Sequence, residues 1–89
     1  MIFAHLIDPP KIIRGGVSFT VNEVSLGQTV FVTDAALAKL APDAKSDRDR
    51  VAFVMTNIPP LVEAALRKVQ PYAVPELIVL EPDDVVGAI

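Results

Sequence analysis

Hydrophobic and polar residues alternate strictly over two stretches in the first third of the chain. Val17, Phe19 and Val21 fall on one side, and Ser18, Thr20 and Asn22 on the other. A period of two with β-branched residues predicts a strand with one buried face. Gln28–Thr33 repeats the pattern, with Val30 and Val32 on one side and Thr29, Phe31 and Thr33 on the other. Arg14-Gly15-Gly16 leads into the first stretch as a turn or a bulge. Glu23–Gly27 joins the two stretches, and Gly27 offers the positive φ that a hairpin loop needs. Together they predict a β-hairpin.

After Thr33 the apolar spacing lengthens to three and four residues. Thr33-Asp34 has the chemistry of a helix start: the hydroxyl can accept from an otherwise unpaired N–H, and the carboxylate suits the positive end of the helix dipole. Leu37, Leu40 and Ala41 then share a face, which predicts a helix over Asp34–Ala41, stopped by Pro42. Ser46-Asp47-Arg48-Asp49 has the spacing of a capping box, with an acid shorter than the usual Glu. A second helix over Asp47–Asn57 carries Val51, Val54, Met55 and Ile58 as one stripe. Pro59-Pro60 ends or kinks it. A third helix over Pro60–Val69 tolerates proline in its first turn and carries Val62, Ala65, Leu66 and Val69. Its solvent side bears Glu63 and Arg67 in the favourable order for an i, i+4 pair.

Gln70–Pro75 reads as a connector. Leu77–Leu80 is a run of four apolar residues, the pattern of a strand buried on both faces. Glu81-Pro82-Asp83-Asp84 ends it, and Val85–Ile89 has room for a loose turn. At the other end of the chain, Ile2–Ile7 is apolar and stops at Asp8-Pro9-Pro10. Proline has no ladder donor, so pairing stops there or stays at a sheet edge. Ile2–Ile7 is an optional edge strand, paired within the sheet or with another chain. Strands, then helices, then a strand is the order of an α+β domain. The expected fold is one such domain over residues 1–89. A small antiparallel sheet of three to four strands has two to three helices on one face, in the order β-β-α-α-α-β. Its core is expected to hold Val17, Phe19, Val30, Val32, Leu37, Leu40, Val51, Val54, Met55, Val62, Leu66 and Val79.

Composition changes this picture in one respect. Hydrophobic residues make up 52% of the 89 positions, above the range of an average domain. A single small core cannot absorb them all, and the surplus implies a surface that a partner covers. The absence of cysteine removes disulfides, thiol nucleophiles and Cys-based metal sites, and fits a cytoplasmic setting. The longest uncharged stretch, Val51–Val62, is too short to span a bilayer and contains two prolines. No basic segment precedes the first apolar run, so a signal peptide is not expected. A net charge of −3 disfavours sequence-independent binding to nucleic acid. The acids Glu76, Glu81, Asp83 and Asp84 form a local acidic patch whose simplest role is solubility.

Candidate chemistry is sparse. The one imidazole is His5, on an apolar stretch, and none of Ser18, Ser25 and Ser46 lies in a G-x-S-x-G elbow. Asp47 with Asp49, or Glu81 with Asp83 and Asp84, could offer oxygen ligands, but neither set has EF-hand spacing. Asp47 and Asp49 alternate with Arg48 and Arg50, which predicts mutual neutralisation at a helix N-terminus. There is no phosphate-loop or dinucleotide fingerprint. No catalytic residue, metal ligand or cofactor is assigned on these grounds.

Several short segments also match a known pattern. They are Val17-Ser18-Phe19, Gly27 ahead of Val30–Thr33, and Ala36-Leu37. Phe53-Val54-Met55-Thr56-Asn57 follows, with Val62-Glu63-Ala64-Ala65 and Lys68, then Leu77–Leu80 before an acid. From Val17 to about Leu80 this organisation resembles a small bacterial family known only as a domain of unknown function. The resemblance implies a single α+β domain of about this length and carries over no activity. Pro59-Pro60 departs from the family pattern, and Ile2–Ile13 does not match it.

Three functions compete. The first is a non-enzymatic protein-interaction or structural module acting as a homodimer. Its contact would lie at Phe31, which sits apolar among threonines, or at Leu77, Ile78, Val79 and Leu80. The second is a small-ligand-binding protein or enzyme whose site forms between subunits, with Asp34, Arg14, His5 and Glu81 as its polar groups. The third is a nucleic-acid-associated regulatory protein that uses Arg48, Arg50, Arg67 and Lys68. The first is the expected one, with no membrane and no nucleic acid as partner.

Overall fold

The computed structural model describes residues 5–23, 26–68 and 77–87. Three strands, β1 (His5–Ile13), β2 (Gly16–Glu23) and β3 (Leu26–Thr33), run as an antiparallel meander. Three helices follow, α1 (Asp34–Leu40), α2 (Asp47–Thr56) and α3 (Ile58–Leu66), and then β4 (Leu77–Leu80) and a 3₁₀ turn over Pro82–Val85. The sheet order is β1-β2-β3-β4. This is the α+β fold that the alternation predicts, with an N-terminal edge strand at His5–Ile13; residues 2–4 of the expected Ile2–Ile7 strand lie outside the described residues.

One feature of the sheet differs from expectation. It is mixed and not wholly antiparallel, because β4 pairs parallel to β3. The reason is topological. The helices carry the chain back across the sheet, so the strand after them re-enters in the same direction as the strand before them.

The first hairpin closes on Arg14-Gly15, since Ile13 pairs with Gly16. Gly15 takes a φ of 92°, a conformation that costs glycine little. Its carbonyl accepts from the Asp34 N–H at 2.8 Å, which ties this turn to the start of α1. β1 does not stop at Asp8. It continues through Pro9-Pro10 to Ile13, with register shifts between Leu6 and Asp8 and between Asp8 and Lys11. An edge strand tolerates this, because only one of its sides must supply ladder bonds. In the second hairpin the ladder runs on to Glu23 opposite Leu26. Gly27 therefore pairs with Asn22 inside the ladder and is not a loop residue.

The core lies between one sheet face and the helices. Val17, Phe19 and Val21 from β2, Val30 and Val32 from β3, and Ile78 and Leu80 from β4 are all buried. Ala36, Leu37, Val54, Leu61, Val62, Ala64 and Ala65 from the helices close over them, with Val85 from the 3₁₀ turn. Leu40, Phe53, Ile58 and Leu66 pack partly against this cluster. Two expected core residues lie elsewhere. Met55 is 48% exposed, because α2 presents the Phe53–Val54 side inward. Val79 points to the opposite sheet face, since Ile78 and Leu80 take the inward positions and side chains alternate along a strand. Val51 is half-buried.

The helix starts follow the chemistry of their caps. Thr33 Oγ1 accepts from the Ala36 N–H at 3.1 Å and donates to the Leu80 carbonyl at 3.1 Å. One hydroxyl thus links β3, β4 and α1. Ser46 Oγ accepts from the Asp49 N–H at 3.1 Å. The third helix begins at Ile58, two residues before the expected start, so both prolines fall in its first turn, where no N–H is needed. Val69 and the Gln70–Pro75 connector lie outside the described residues.

Candidate functional site

Among the described residues, all three helices lie on the Val17–Phe19 side of the sheet. The side chains of the other face fall into rows across the strands. Ile13, Gly16 and Thr33 form one row, Lys11, Ser18, Phe31 and Val79 the next, and Asp8, Thr20, Thr29 and Leu77 a third. Thr20 Oγ1 and Thr29 Oγ1 are hydrogen-bonded to each other at 3.0 Å. Phe31 and Val79 stand side by side, both half-buried, and Leu77 beside them is 52% exposed. Ile13 is exposed at the β1 end of its row.

Phe31 owes its place among threonines to Gly16. A Cβ on Gly16 would overlap the Val32 carbonyl oxygen and come 2.8 Å from Cε1 of the Phe31 ring. The ring therefore lies across the bare glycine backbone, and a Cβ on Gly15 would stand 3.6 Å from its Cζ, an ordinary contact. An aromatic neighbour covering a strand glycine supplies the packing that the glycine lacks. Farther along the same face, Asn22 Oδ1 is buried with no hydrogen-bond partner among the described residues.

Of the five residues proposed as a contact, the structure divides β4 in two. Ile78 and Leu80 are core residues under the helices and drop out as surface candidates. Phe31, Val79 and Leu77 remain together on the helix-free face.

The outer side of β4 has its own arrangement. Lys68 Nζ, just past α3, donates to the Val79 carbonyl at 2.7 Å and to Asp84 Oδ2 at 2.7 Å. Asp84 Oδ2 also accepts from the Glu81 N–H at 2.9 Å. The Lys68 hydrogen bond and then the Glu81 N–H hold the Asp84 carboxyl below its ordinary value, against a smaller opposing effect of burial. The acidic end of the chain is thus partly structural.

The polar groups of the ligand-site alternative are only partly brought together. Arg14 in the first turn, Asp34 at the head of α1 and Glu81 after β4 share one end of the sheet, as the Asp34-to-Gly15 and Thr33-to-Leu80 bonds show. The His5 backbone pairs with Asn22 at the other end of β1, roughly 25 Å away at the usual rise per strand residue. Asp34 is engaged by Arg50, at 3.6 Å, and Arg50 also lies 3.9 Å from Asp47. Of the four bases considered for nucleic acid, Arg50 and Lys68 are therefore ion-paired within the fold. Arg48 and Arg67 are exposed.

An open depression of about 480 Å³ lies between the end of α1 and α2. Leu40, Ala52 and Phe53 form its apolar part, and Asp43, Asp49, Thr56 and Asn57 its polar part. The Thr56 hydroxyl and the Asn57 amide both bond back to carbonyls of α2, at 2.9 and 2.8 Å, so neither is directed at a ligand. Among the described residues no group of three or more His, Cys, Asp or Glu is placed to hold a metal ion, and no helix is long and apolar enough to cross a membrane.

No family model, curated protein or solved structure matches the chain. The bacterial-family resemblance therefore rests on the residue pattern alone.

Proposed function

We propose that this chain is a non-enzymatic interaction module of the cytoplasm that pairs with a second copy through the helix-free face of its sheet. The supporting observation is the apolar group Phe31, Val79 and Leu77 on a face that the helices leave open. Burying a side chain of this size fully is worth about 1.5–3 kcal/mol, a large share of a small domain's net stability. A two-fold axis is the commonest way for identical chains to cover such a face.

Sedimentation equilibrium at micromolar concentration tests this reading. The expected result is a dimer mass for the native chain and a monomer mass for Phe31→Ser. A monomer mass for the native chain, with Phe31→Ser leaving solubility and stability unchanged, would overturn it.

A further inference from the structure

The two edges of the sheet differ in how they meet a further strand. β1 carries Pro9 and Pro10, which lack N–H donors, two register shifts, and the charges of Asp8 and Lys11. These are the features by which proteins block edge pairing. β4 has none of them: Leu77–Leu80 contains no proline, no charge and no register shift. Carbonyls alternate sides along a strand. Leu80 points its carbonyl toward β3, where Thr33 donates to it, so the Val79 carbonyl points outward. That outward acceptor is the one occupied by the Lys68 ammonium, which Asp84 holds in place.

We propose that the outer edge of β4 is a strand-addition site for the β4 of a second copy, kept closed by Lys68. The occupant follows from the backbone pattern. Leu77 and Val79 are the outward residues, so an antiparallel two-fold pair centred on Ile78 sets Leu77 of each copy against Val79 of the other. No like charges meet in that pairing, and the exposed Leu77 side chains come to lie beside the half-buried valines. Each copy's Val79 carbonyl must accept a ladder bond in this arrangement. The Lys68 ammonium, anchored by Asp84, occupies that outward acceptor, and a ladder N–H must compete with its charge-assisted bond. The native edge therefore stays closed, and any change that removes the Lys68 charge, such as acylation of Nζ, opens it.

This inference does not depend on pairing through the sheet face, and the experiment separates the two. Lys68→Met and Lys68→Arg are each made in the native chain and in Phe31→Ser. A second neutral variant, Lys68→Gln, stands in if Lys68→Met does not fold. In the Phe31→Ser background, the neutral variant is expected to raise the sedimentation mass up to twofold over the Lys68→Arg control. In the same sample the Val79 amide should exchange at least about tenfold more slowly, as for an amide drawn into a ladder. Equal masses and equal Val79 exchange for the neutral and Arg variants, in both backgrounds, would overturn it. If Phe31→Ser leaves the native mass unchanged, the face-pairing reading fails, while the comparison of Lys68→Met with Lys68→Arg still decides the edge.

Discussion

The two faces of the sheet are made by the same strands and held by different physics. Under the helices, closely packed valines, Phe19 and Leu80 exclude water, and the side chains of α3 press directly on them. On the opposite face a pair of threonine hydroxyls and one aromatic ring over a glycine do the work. The first face draws its stability from area removed from water. The second draws it from close local fits and retains apolar surface in Leu77, Val79 and Ile13. A sheet need not be polar wherever helices are missing. A glycine that lets a ring approach the backbone is enough to place a phenylalanine there.

The contrast can be broken from either side. The largest expected effect is on the helix-covered face. Leu61→Ala removes a fully buried side chain of α3 and should lower unfolding stability by about 2–5 kcal/mol in a urea titration. On the other face, Gly16→Ala should cost about 1–3 kcal/mol by overpacking, since the new methyl meets the fixed Val32 carbonyl as well as the Phe31 ring. Combining it with Phe31→Ala relieves the ring contact alone and should recover only part of the loss. A full recovery would mean that the ring, and not the backbone, sets the requirement for glycine. Thr29→Val breaks the hydroxyl pair while keeping the shape, and a change of about 0.2–1 kcal/mol is expected.

The smallest effect concerns pH at the β4 edge. Asp84 has a folded-state pKa below its unfolded value of 3.8. The stability it contributes is therefore complete above that unfolded value and is lost as pH falls through the lowered folded one. The amount is under about 1 kcal/mol, as for other partly exposed ion pairs. Urea midpoints of the native chain and Asp84→Asn should differ at about pH 5 and converge near the foot of the acid limb. A constant difference across that window would show that the Lys68 bond is not its source.

Much of the fold was legible in the chain, and the exceptions have identifiable causes. The alternation in Val17–Asn22 and Gln28–Thr33 is a local signal, and β2 and β3 form where it lies. The Thr33 and Ser46 caps are equally local, and both hydroxyls accept the expected N–H. On α2 the stripe holds at Val54, with Ile58 packed beside it, and fails at Met55, because the helix turns Phe53 and Val54 to the core. The spacing puts the start of α3 two residues late because proline reads as a break, although the first helical turn has no use for its missing donor. Of the candidate contact, Phe31 stood out as an apolar residue on a polar side. Its cause, Gly16, could not be identified from spacing, because the two meet diagonally across β2 and β3. The run Leu77–Leu80 showed a strand but not which two of its residues face the helices. That choice depends on the register with β3, which the run itself does not encode.

The bond from Thr33 to Leu80 joins positions 47 residues apart, while the Thr20–Thr29 pair spans only 9. Closing the longer loop costs about 1.5 kcal/mol more in chain entropy by the logarithmic rule. The meander can thus assemble from neighbours in the chain, and β4 can dock only once the helices have brought it back across the sheet. Contacts of β4 therefore belong late on the route to the native state. Weakening them should speed unfolding far more than it slows folding. The strand that completes the sheet, and whose outward Val79 carbonyl Lys68 engages, then sets how long the folded molecule lasts more than how quickly it forms.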